Sequence, residues 1–130
     1  MLKVSTFCSG IGSPEVALKN LGVEHEVVLT AEIDKYARQT YLANHSTKKM
    51  INDMTEPDYE GEEYYADINI SGLPCQAFSL AGKRLGELDP RGLLFFDFLR
   101  YVKNQNPKYF IIENVKGLLS DSAGETFRNW

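Results

Sequence analysis

The sequence has none of the features of a secreted, membrane-spanning or metal-binding chain. Its two cysteines, Cys8 and Cys75, lie 67 positions apart, which favours reduced thiols over a disulfide framework. No apolar run approaches the roughly 18 residues of a transmembrane helix. Because β-prone sequence begins almost at Met1, we expect neither a membrane span nor a targeting segment. The two histidines, His25 and His45, stand apart from each other and predict no metal site.

The charge balance lacks the basic excess of a free-standing nucleic-acid-binding module. Lys and Arg number 14 against 18 Asp and Glu, which gives a formal net charge of −4 at pH 7. An enzyme that contacts nucleic acid through a local surface is compatible with this balance. Apolar residues make up 43% of the 130 residues, and no low-complexity segment interrupts them, so the chain suffices for one domain with a sizeable core.

Short apolar runs and turn signals predict strands and helices that alternate along the whole chain. The strand-like runs are residues 3–7, 25–32, 49–51, 66–71 and 109–112. The helical patterns are residues 14–21, the segment capped by Asp34, residues 93–102 and a short tail from residue 125. This alternation predicts one α/β domain, with a mostly parallel sheet and helices on both of its faces.

Several segments carry more specific expectations. The second helix is predicted to have an apolar stripe of Tyr36, Ala37, Thr40, Tyr41 and Ala43. Residues 56–64 are predicted to be an acidic loop, and residues 79–92 are too long for a simple turn and predict a mobile functional loop. The fifth strand is apolar on both faces, yet no sixth strand follows it. We therefore expect the chain to be the front part of a longer catalytic domain whose C-terminal strands are missing.

The turn after the first strand has the composition of a cofactor-binding turn. Gly10 and Gly12 let a ligand approach the backbone, and the next helix begins with unpaired N–H groups. Glu32 follows 22 positions after Gly10, where a carboxylate can accept from ribose hydroxyls. Since the third glycine of a dinucleotide fingerprint is missing, an adenosine-bearing cofactor without a pyrophosphate fits better than NAD. A plain structural turn is the alternative.

Asp53, beside Met54, is a candidate acceptor for an adenine amino group, although such a residue alone is more often a solvated loop carboxylate.

A thiol and a carboxylate end the fourth and fifth strands. Cys75 lies in the Gly-Leu-Pro-Cys-Gln segment of residues 72–76, and Glu113 opens a Glu-Asn-Val segment 38 residues later. A thiolate can add to an electron-poor ring carbon, and a nearby carboxylic acid can hold or protonate the ring nitrogen. The pair therefore predicts covalent attack on a pyrimidine, whereas a lone cysteine after a buried strand is usually a small core residue.

Together these motifs resemble the cytosine-C5 DNA methyltransferases. The resemblance depends on residues 9–12, 32–34, 74–79 and 113–115, which have the order and spacing of that family. Residues 82–96 and 115–118 are similar to it as well, so nearly the whole chain is covered. The resemblance implies a Rossmann-like, S-adenosylmethionine-dependent methyltransferase fold, for which residues 1–130 supply part of the catalytic domain.

The resemblance also implies the reaction and the residues that carry it. A methyl group would pass from S-adenosylmethionine to C5 of a cytosine flipped out of double-stranded DNA. Cys75 would attack C6, Glu113 would contact N3 and the exocyclic amine, and Asn114 would help to position that carboxylate. The implied cofactor-binding residues are Ser9, Gly10, Ile11, Gly12, Glu32, Ile33, Asp53, Met54, Pro74 and Leu94. The implied nucleic-acid contacts are Gln76, Ser79, Arg84 and Arg91.

The sequence departs from the family pattern in two ways. Cys8 stands where the family commonly has Phe against the adenine, and Ser13 replaces a common Gly, so either change would weaken cofactor binding without abolishing it. A Gln-Arg-Arg-like segment, a target-recognition domain and the segment that completes the cofactor pocket are all missing. We therefore expect a truncated chain, or one completed by a partner chain, that is catalytically inert in isolation.

Other functions stay open at this point. A relative that methylates cytosine in transfer RNA and a non-catalytic S-adenosylmethionine-binding fragment are both compatible with the motifs. Arg84 and Arg91 are alternatively solvated loop charges, and Phe95, Phe96 and Phe98 are expected in the core rather than stacked on bases. The resemblance implies a cytoplasmic setting in a bacterium or phage infection, with a cognate restriction endonuclease as a further partner.

Overall fold

The strands and helices alternate as predicted. The computed structural model describes residues 1–56, 59, 61–75 and 90–129. Its strands are β1 (Leu2–Phe7), β2 (His25–Ala31), β3 (Met50–Ile51), β4 (Ile68–Gly72) and β5 (Tyr109–Glu113). Its α-helices are α1 (Ser13–Asn20), α2 (Lys35–Asn44), α3 (Leu94–Gln105) and α4 (Glu125–Asn129). Short 3-10 helices occupy Glu62–Tyr64, Pro90–Leu93 and Lys116–Gly124.

The first two helices begin at the signals found in the sequence, and the first also ends at its predicted glycine. Pro14 lies in the first turn of α1, and Gly22 follows the end of that helix with a φ of +68°, a conformation that glycine adopts at little cost. Asp34 caps α2, because its side chain accepts a hydrogen bond of 2.7 Å from the Ala37 N–H. A proline in the first turn of α1 and a side-chain cap on α2 therefore mark the two helix starts.

Helix α3 is longer than predicted. It continues past Val102 to Gln105, and Asn106 then ends it in the left-handed conformation. The buried Gln105 side chain donates to the Tyr64 carbonyl oxygen at 2.9 Å and accepts from the Ala66 N–H at 3.2 Å, and these tertiary contacts stabilise the extra turn. Within the described ranges, no helix combines the length and the apolar character that a membrane crossing requires.

The strands form one parallel sheet with the order β3-β2-β1-β4-β5. β1 is central, so the crossovers through α1 and α2 lead away from it in one direction and the crossover through α3 leads in the other. Right-handed crossovers then place α1 and α2 on one face of the sheet and α3 on the opposite face. The predicted α/β class with helices on both faces is confirmed.

Two successive side chains of β1 illustrate the two faces. Thr6 Oγ1 donates to Glu15 Oε1 of α1 at 2.8 Å. Phe7 packs instead against Phe98 and Tyr101 of α3, with ring centroids 5.4 and 4.5 Å apart. Because neighbouring residues of a strand point to opposite faces, α1 and α3 cover opposite sides of the sheet. The larger apolar core lies on the α3 side, around Phe7.

The predicted apolar stripe of α2 is largely wrong. Tyr41 is fully buried, but Tyr36 is 73% exposed, and Thr40 and Ala43 are exposed as well. Only Ala37 among the others is partly buried. Tyr41 anchors the helix, because its hydroxyl donates to the buried Glu15 carboxylate of α1, whereas most of the stripe faces solvent.

The connector predicted as a loop contains a buried anchor. Tyr59 has no exposed surface, and its hydroxyl donates to the Met54 carbonyl oxygen. Its ring lies 6.0 Å from that of Phe7 and 5.5 Å from that of Tyr101. The acidic residues around Tyr59 hide this role in the sequence, because they give the segment the composition of a solvated loop.

The two edges of the sheet differ in length and exposure. β3 has two residues, whereas β5 has five. On β5, Tyr109, Phe110 and Ile111 are 68%, 54% and 49% exposed, and an apolar cavity of about 430 Å³ lies between this strand and α3. The strand predicted to be apolar on both faces therefore forms an exposed edge.

Candidate active site

The site lies at the carboxyl ends of β1 and β4, which are neighbours in the sheet. Because the connections from these two strands run in opposite directions, a crevice opens beyond their ends. The glycine turn follows β1, and residues 73–75 follow β4. The predicted cofactor motif and the predicted thiol are thus brought to the same edge of the sheet.

The turn after β1 is tight and uses left-handed backbone conformations. Gly10 and Gly12 have φ values of +55° and +94°, and Cys8 has a φ of +52° despite its side chain. The Ser9 N–H donates to the Ala31 carbonyl oxygen at 3.0 Å, and the Gly12 N–H donates to the Ser9 carbonyl oxygen at 3.0 Å. Such a conformation is costly for a non-glycine residue, and strained residues of this kind cluster at functional sites. The glycines are therefore required by the geometry of the turn.

The Glu32 carboxylate is fixed against this turn. Its Oε2 accepts from the Gly10 N–H at 2.7 Å, and its Oε1 accepts from the Asp34 N–H at 3.0 Å. Each oxygen keeps a further lone pair for a ligand hydroxyl. Arg38, which the sequence did not single out, donates from Nη1 to the carbonyl oxygens of Glu32 and Ile33 at 2.8 and 2.6 Å. Nothing in the pattern of α2 distinguishes Arg38 from an ordinary surface arginine.

A cavity of about 120 Å³ adjoins the turn. Six predicted cofactor residues line it, namely Glu32, Ile33, Asp53, Met54, Pro74 and Leu94. Ser9, Gly10, Ile11 and Gly12 form the turn beside it. Apolar walls suit a flat ring, and two carboxylates suit hydroxyl and amino donors. Among the described residues that line it, none is a Lys or Arg that could neutralise a phosphate. The side chains present therefore fit an adenosine group without phosphates.

Two side chains of the cavity have shifted pKa values. Hydrogen bonds from the Thr55 N–H and hydroxyl, at 2.9 and 2.7 Å, hold the pKa of Asp53 below its ordinary value, so Asp53 is a charged acceptor. Burial, followed by the charge of Glu32, raises the pKa of Cys8 to about 12. The Cys8 thiol is therefore protonated at neutral pH and packs 3.7 Å from the Met54 sulfur, which makes it unsuited to nucleophilic attack.

The reacting end is built by the pairing of β4 with β5. Gly72 lies opposite Glu113 in the register of these strands. A Cβ at Gly72 would lie 3.8 Å from Glu113 Oε2 and 3.8 Å from the Cys8 carbonyl oxygen. The Glu113 carboxylate thus lies over the end of β4, from which Pro74 and Cys75 continue. Cys75 is partly buried and is a free thiol.

Asn114 makes a local contact beside Glu113. Its Oδ1 accepts from the Val115 N–H at 2.7 Å. Its Nδ2 is buried, and it has no hydrogen-bond partner in the described part of the chain. The side chain thus orients the backbone after β5, and its predicted effect on the Glu113 carboxylate stays a prediction.

Several predicted residues lie outside the described residues. They are Gln76, Ser79, Arg84 and the side chain of Arg91, whose backbone belongs to Pro90–Leu93. The predicted loop at residues 79–92 falls mostly in the same gap. Of the three phenylalanines predicted in the core, Phe95 and Phe98 are buried, whereas Phe96 is 44% exposed. No cluster of metal-ligating side chains occurs among the residues that the structure describes.

Comparisons with known proteins agree with this geometry. The family model described as C-5 cytosine-specific DNA methylase matches residues 2–130. Orphan methyltransferase M.Rho11sI of Bacillus phage rho11s is 44% identical over 127 residues, which cover 96% of this chain and 25% of that protein. Type II methyltransferase M.NgoBI of Neisseria gonorrhoeae is 42% identical over 130 residues, which cover 98% of this chain and 39% of that protein. The chain thus spans well under half the length of these curated relatives.

Solved structures share the fold. The Dnmt2 methyltransferase of S. pombe superposes with a TM-score of 0.73 at 25% identity, covering 98% of this chain and 39% of that one. A DNMT2 mutant of Spodoptera frugiperda gives a TM-score of 0.73 at 26% identity, covering 99% and 40%. The Rossmann-like methyltransferase fold is thereby confirmed. Since the family model extends over almost every residue, the chain belongs to the C-5 cytosine-specific DNA methylase family.

Proposed function

We propose that this chain supplies the nucleophile, the acid and much of the cofactor pocket of an enzyme that methylates C5 of cytosine in DNA. The observation that carries the proposal is the opposition of Gly72 and Glu113 at the ends of β4 and β5. Pro74, next to Cys75, lines the cavity that fits adenosine. A thiol, a carboxylate and a methyl-donor pocket at one crevice are what this reaction needs, because its reactants must be held together.

Cys75 is the proposed nucleophile. Its thiolate adds to C6 of a flipped cytosine, which forms an S–C6 bond and moves electron density to C5. S-adenosylmethionine held in the cavity would supply the methyl group: its sulfonium–methyl bond would break as the C5–methyl bond forms, and S-adenosylhomocysteine would leave. Loss of the C5 proton to a base then restores the C5–C6 double bond, while the S–C6 bond breaks and Cys75 leaves as a thiolate. Cys8 is unsuited to this role, because its pKa is raised to about 12.

Glu113 is the proposed acid. Addition at C6 places negative charge on the ring side that contains N3, and a carboxylic acid that donates to N3 stabilises this charge. The proton returns to Glu113 when the S–C6 bond breaks. The position of its carboxylate over the end of β4 supports this role, since Cys75 follows three residues after Gly72. We propose that Asn114 limits the motion of this carboxylate through the backbone that they share.

The proposed cofactor contacts follow the chemistry of the cavity. Glu32 accepts from the ribose hydroxyls, and Asp53 accepts from the adenine amino group. Ile33, Met54 and Leu94 pack against the adenine ring. The backbone of residues 9–12 borders the remainder of the cofactor. The two carboxylates also complement a cationic donor better than an anionic one, because opposite charges attract.

A chimera tests the proposal. Because the chain matches 25% of M.Rho11sI, the remaining length is taken from that relative, and this chain replaces the matched segment. Tritiated methyl transfer to duplex DNA is then measured. We expect labelled DNA, and we expect Cys75→Ala to lower the rate by at least about a thousandfold, as for the loss of other catalytic nucleophiles. Cys8→Ala is the matched control, since it also removes a thiol. Because Cys8 lines the cofactor cavity, we expect this change to raise the KM for S-adenosylmethionine and to leave kcat close to that of the unaltered chimera.

Each alternative outcome has a distinct meaning. Label confined to transfer RNA, assayed side by side with DNA, would overturn the choice of substrate. Undiminished activity of Cys75→Ala would overturn the nucleophile. An inactive chimera that binds S-adenosylmethionine in a calorimeter would indicate a non-catalytic binding module instead.

The nucleic-acid contacts and the setting complete the proposal. Gln76, Ser79, Arg84 and Arg91 are proposed to contact DNA, with the two arginines on phosphates. The relative M.NgoBI is named a type II methyltransferase, and M.Rho11sI belongs to a phage. We therefore propose the cytoplasm of a bacterium or of a phage-infected cell, and a cognate restriction endonuclease as a functional partner.

A further inference from the structure

The His45 imidazole packs directly against the cofactor turn. His45 is the C-cap of α2, and its Nε2 lies 3.1 Å from the Ile11 carbonyl oxygen. A Cβ at Gly12 would lie 2.5 Å from both Nε2 and Cδ2 of this ring. Since a carbonyl oxygen only accepts hydrogen bonds, Nε2 carries the proton and donates it. Gly12 is therefore needed to make room for a histidine as well as for its positive φ.

A buried polar chain holds the His45 ring in place. The Tyr41 and His45 ring centroids lie 5.0 Å apart. The Tyr41 hydroxyl donates to Glu15 Oε1 at 2.7 Å, and the same oxygen accepts from Thr6 Oγ1 at 2.8 Å. Burial, with the nearby Glu15 charge, raises the pKa of Tyr41 above its ordinary value, so the hydroxyl stays a donor. The chain of contacts joins α2 to α1 and β1 beneath the turn.

This polar chain is not explained by stability alone. Glu15 is 3% exposed, and its Oε2 has no hydrogen-bond partner within the described ranges. A buried carboxylate oxygen without a partner destabilises a fold, and a hydrophobic contact between the helices would avoid that cost. Exceptions of this kind to hydrogen-bond satisfaction occur where function constrains the structure. The element that function constrains in this case is the cofactor turn of residues 9–12, which Glu32 also contacts by accepting from the Gly10 N–H.

We infer that His45 is a positioning residue for the cofactor turn. Its Nε2–H holds the Ile11 carbonyl, which fixes the peptide between Ile11 and Gly12 and the start of α1. Tyr41 and Glu15 hold the ring itself. His45 therefore acts on the cofactor through the turn. The identity of that cofactor as S-adenosylmethionine rests on the proposed function.

Two substitutions separate the hydrogen bond from the ring. His45→Phe keeps a ring against Tyr41 and removes the donor, whereas His45→Gln keeps an N–H donor without the ring. For the 130-residue chain, calorimetry measures the Kd for S-adenosylmethionine and the melting temperature. We expect His45→Phe to weaken binding about tenfold, the effect of one hydrogen bond, and His45→Gln to restore part of it. His25→Phe alters the other histidine, at the start of β2, and should leave the Kd unchanged.

Amide NMR signals of Gly10 and Gly12, recorded without cofactor, give an independent readout. We expect them to shift or broaden in His45→Phe and to move less in His45→Gln. Unchanged signals and an unchanged Kd in His45→Phe would overturn the inference. A loss of binding that follows the melting temperature in both variants would also overturn it, since that pattern indicates a structural role alone. If the unaltered 130-residue chain binds no cofactor, the Kd values are measured on the chimera, which supplies the rest of the pocket. A chimera that binds none would refute the cofactor part of the proposed function, while the amide signals still decide whether His45 holds the turn.

Discussion

The two ends of the crevice are held in different ways. At the cofactor end, Glu32 accepts from two backbone N–H groups, and Asp53 accepts from Thr55. At the reacting end, Cys75 and Glu113 make no side-chain hydrogen bond to any other residue that the structure describes. The pairing of β4 with β5 sets Glu113 opposite Gly72, three residues before Cys75. One end is thus preorganised by hydrogen bonds within the chain, and the other is placed by backbone topology.

This difference has a consequence for substitutions. Changes at the cofactor end remove contacts that exist before any ligand arrives, so they should act mainly on affinity. Changes at the reacting end remove groups whose partners come with the substrate, so they should act mainly on rate. The following predictions test this division, from the largest expected effect to the smallest.

Glu113→Gln should reduce the rate most among these changes. The variant cannot supply a proton to N3, and the loss of one general acid typically costs about 10²- to 10⁴-fold in kcat. KM for S-adenosylmethionine should change little, because Glu113 lies outside the adenosine cavity. Steady-state kinetics of the chimera measure both constants. Glu125→Gln, on the exposed start of α4, is the control. A normal kcat in Glu113→Gln would remove the carboxylate from the mechanism.

Glu32→Gln should show the opposite pattern. It weakens two backbone hydrogen bonds to a charged acceptor and the proposed bonds to ribose, so we expect the Kd for S-adenosylmethionine to rise about 10- to 100-fold. The kcat at saturating cofactor should fall much less. Calorimetry gives the Kd, and Glu26→Gln on the exposed start of β2 is the matched control. Equal affinity in both variants would contradict a preorganised cofactor end.

Cys8 should resist alkylation in the folded chain. Its pKa is raised to about 12 from an ordinary value of 9.0. At pH 8 its thiolate fraction is therefore about a thousandfold lower than in the unfolded chain, and only the thiolate reacts. Iodoacetamide labelling at pH 8, with and without urea, is followed by mass spectrometry of the Cys8 peptide.

The pH dependence of this labelling has a definite sign. Native Cys8 should react about tenfold faster for each pH unit up to about 12, whereas the unfolded thiol should level off above about 9. Equal labelling of folded and unfolded chains at pH 8 would contradict the burial of this thiol.

The smallest effect is expected at the amino ends of β1 and β4, away from the crevice at their carboxyl ends. Asp67 accepts from the Lys3 N–H at 2.9 Å and pairs with Lys108 at 3.1 Å, and these contacts lower its pKa. A lowered carboxyl pKa stabilises the fold above the ordinary pKa near 3.8, and the contribution is lost as the pH falls below it. Asp67→Asn should therefore lower the melting temperature slightly at pH 7 and not at pH 2. A difference of the same size at both pH values would contradict this account.

The sequence predicted what local chemistry determines. The positions of the strands followed from β-prone runs, and the cap of α2 followed from Asp34, because each depends on neighbouring residues. Six residues of the cofactor cavity were also predicted. Glu32, Asp53 and Met54 were predicted from their positions at or just after strand ends, whereas Ile33, Pro74 and Leu94 were implied by the family resemblance. The segments of Cys75 and Glu113 were predicted to follow two strands, and these strands are neighbours in the sheet, but the action of the two side chains as a pair stays a prediction.

Contacts between distant segments were not predictable in this way. His45 reaches Ile11 across 34 positions, and the sequence shows only a histidine near a helix end. Tyr59 is buried although its neighbours are acidic. The predicted apolar stripe of α2 was largely wrong because a helical period indicates which residues share a face. It does not indicate how much of that face is covered by other elements of the fold. Each of these depends on how elements dock, which periodicity does not encode.

The most direct test of the central claim is to trap the bond between Cys75 and cytosine. The chimera is incubated with S-adenosylmethionine and duplex DNA in which 5-fluorocytosine replaces the target base. Fluorine at C5 cannot leave as the proton does, so a methylated adduct with an intact S–C6 bond should persist. Mass spectrometry is expected to find this adduct on Cys75, and to find none in the Cys75→Ala variant. Methyl transfer to ordinary DNA without any trapped adduct, or an adduct on Cys8, would contradict the account.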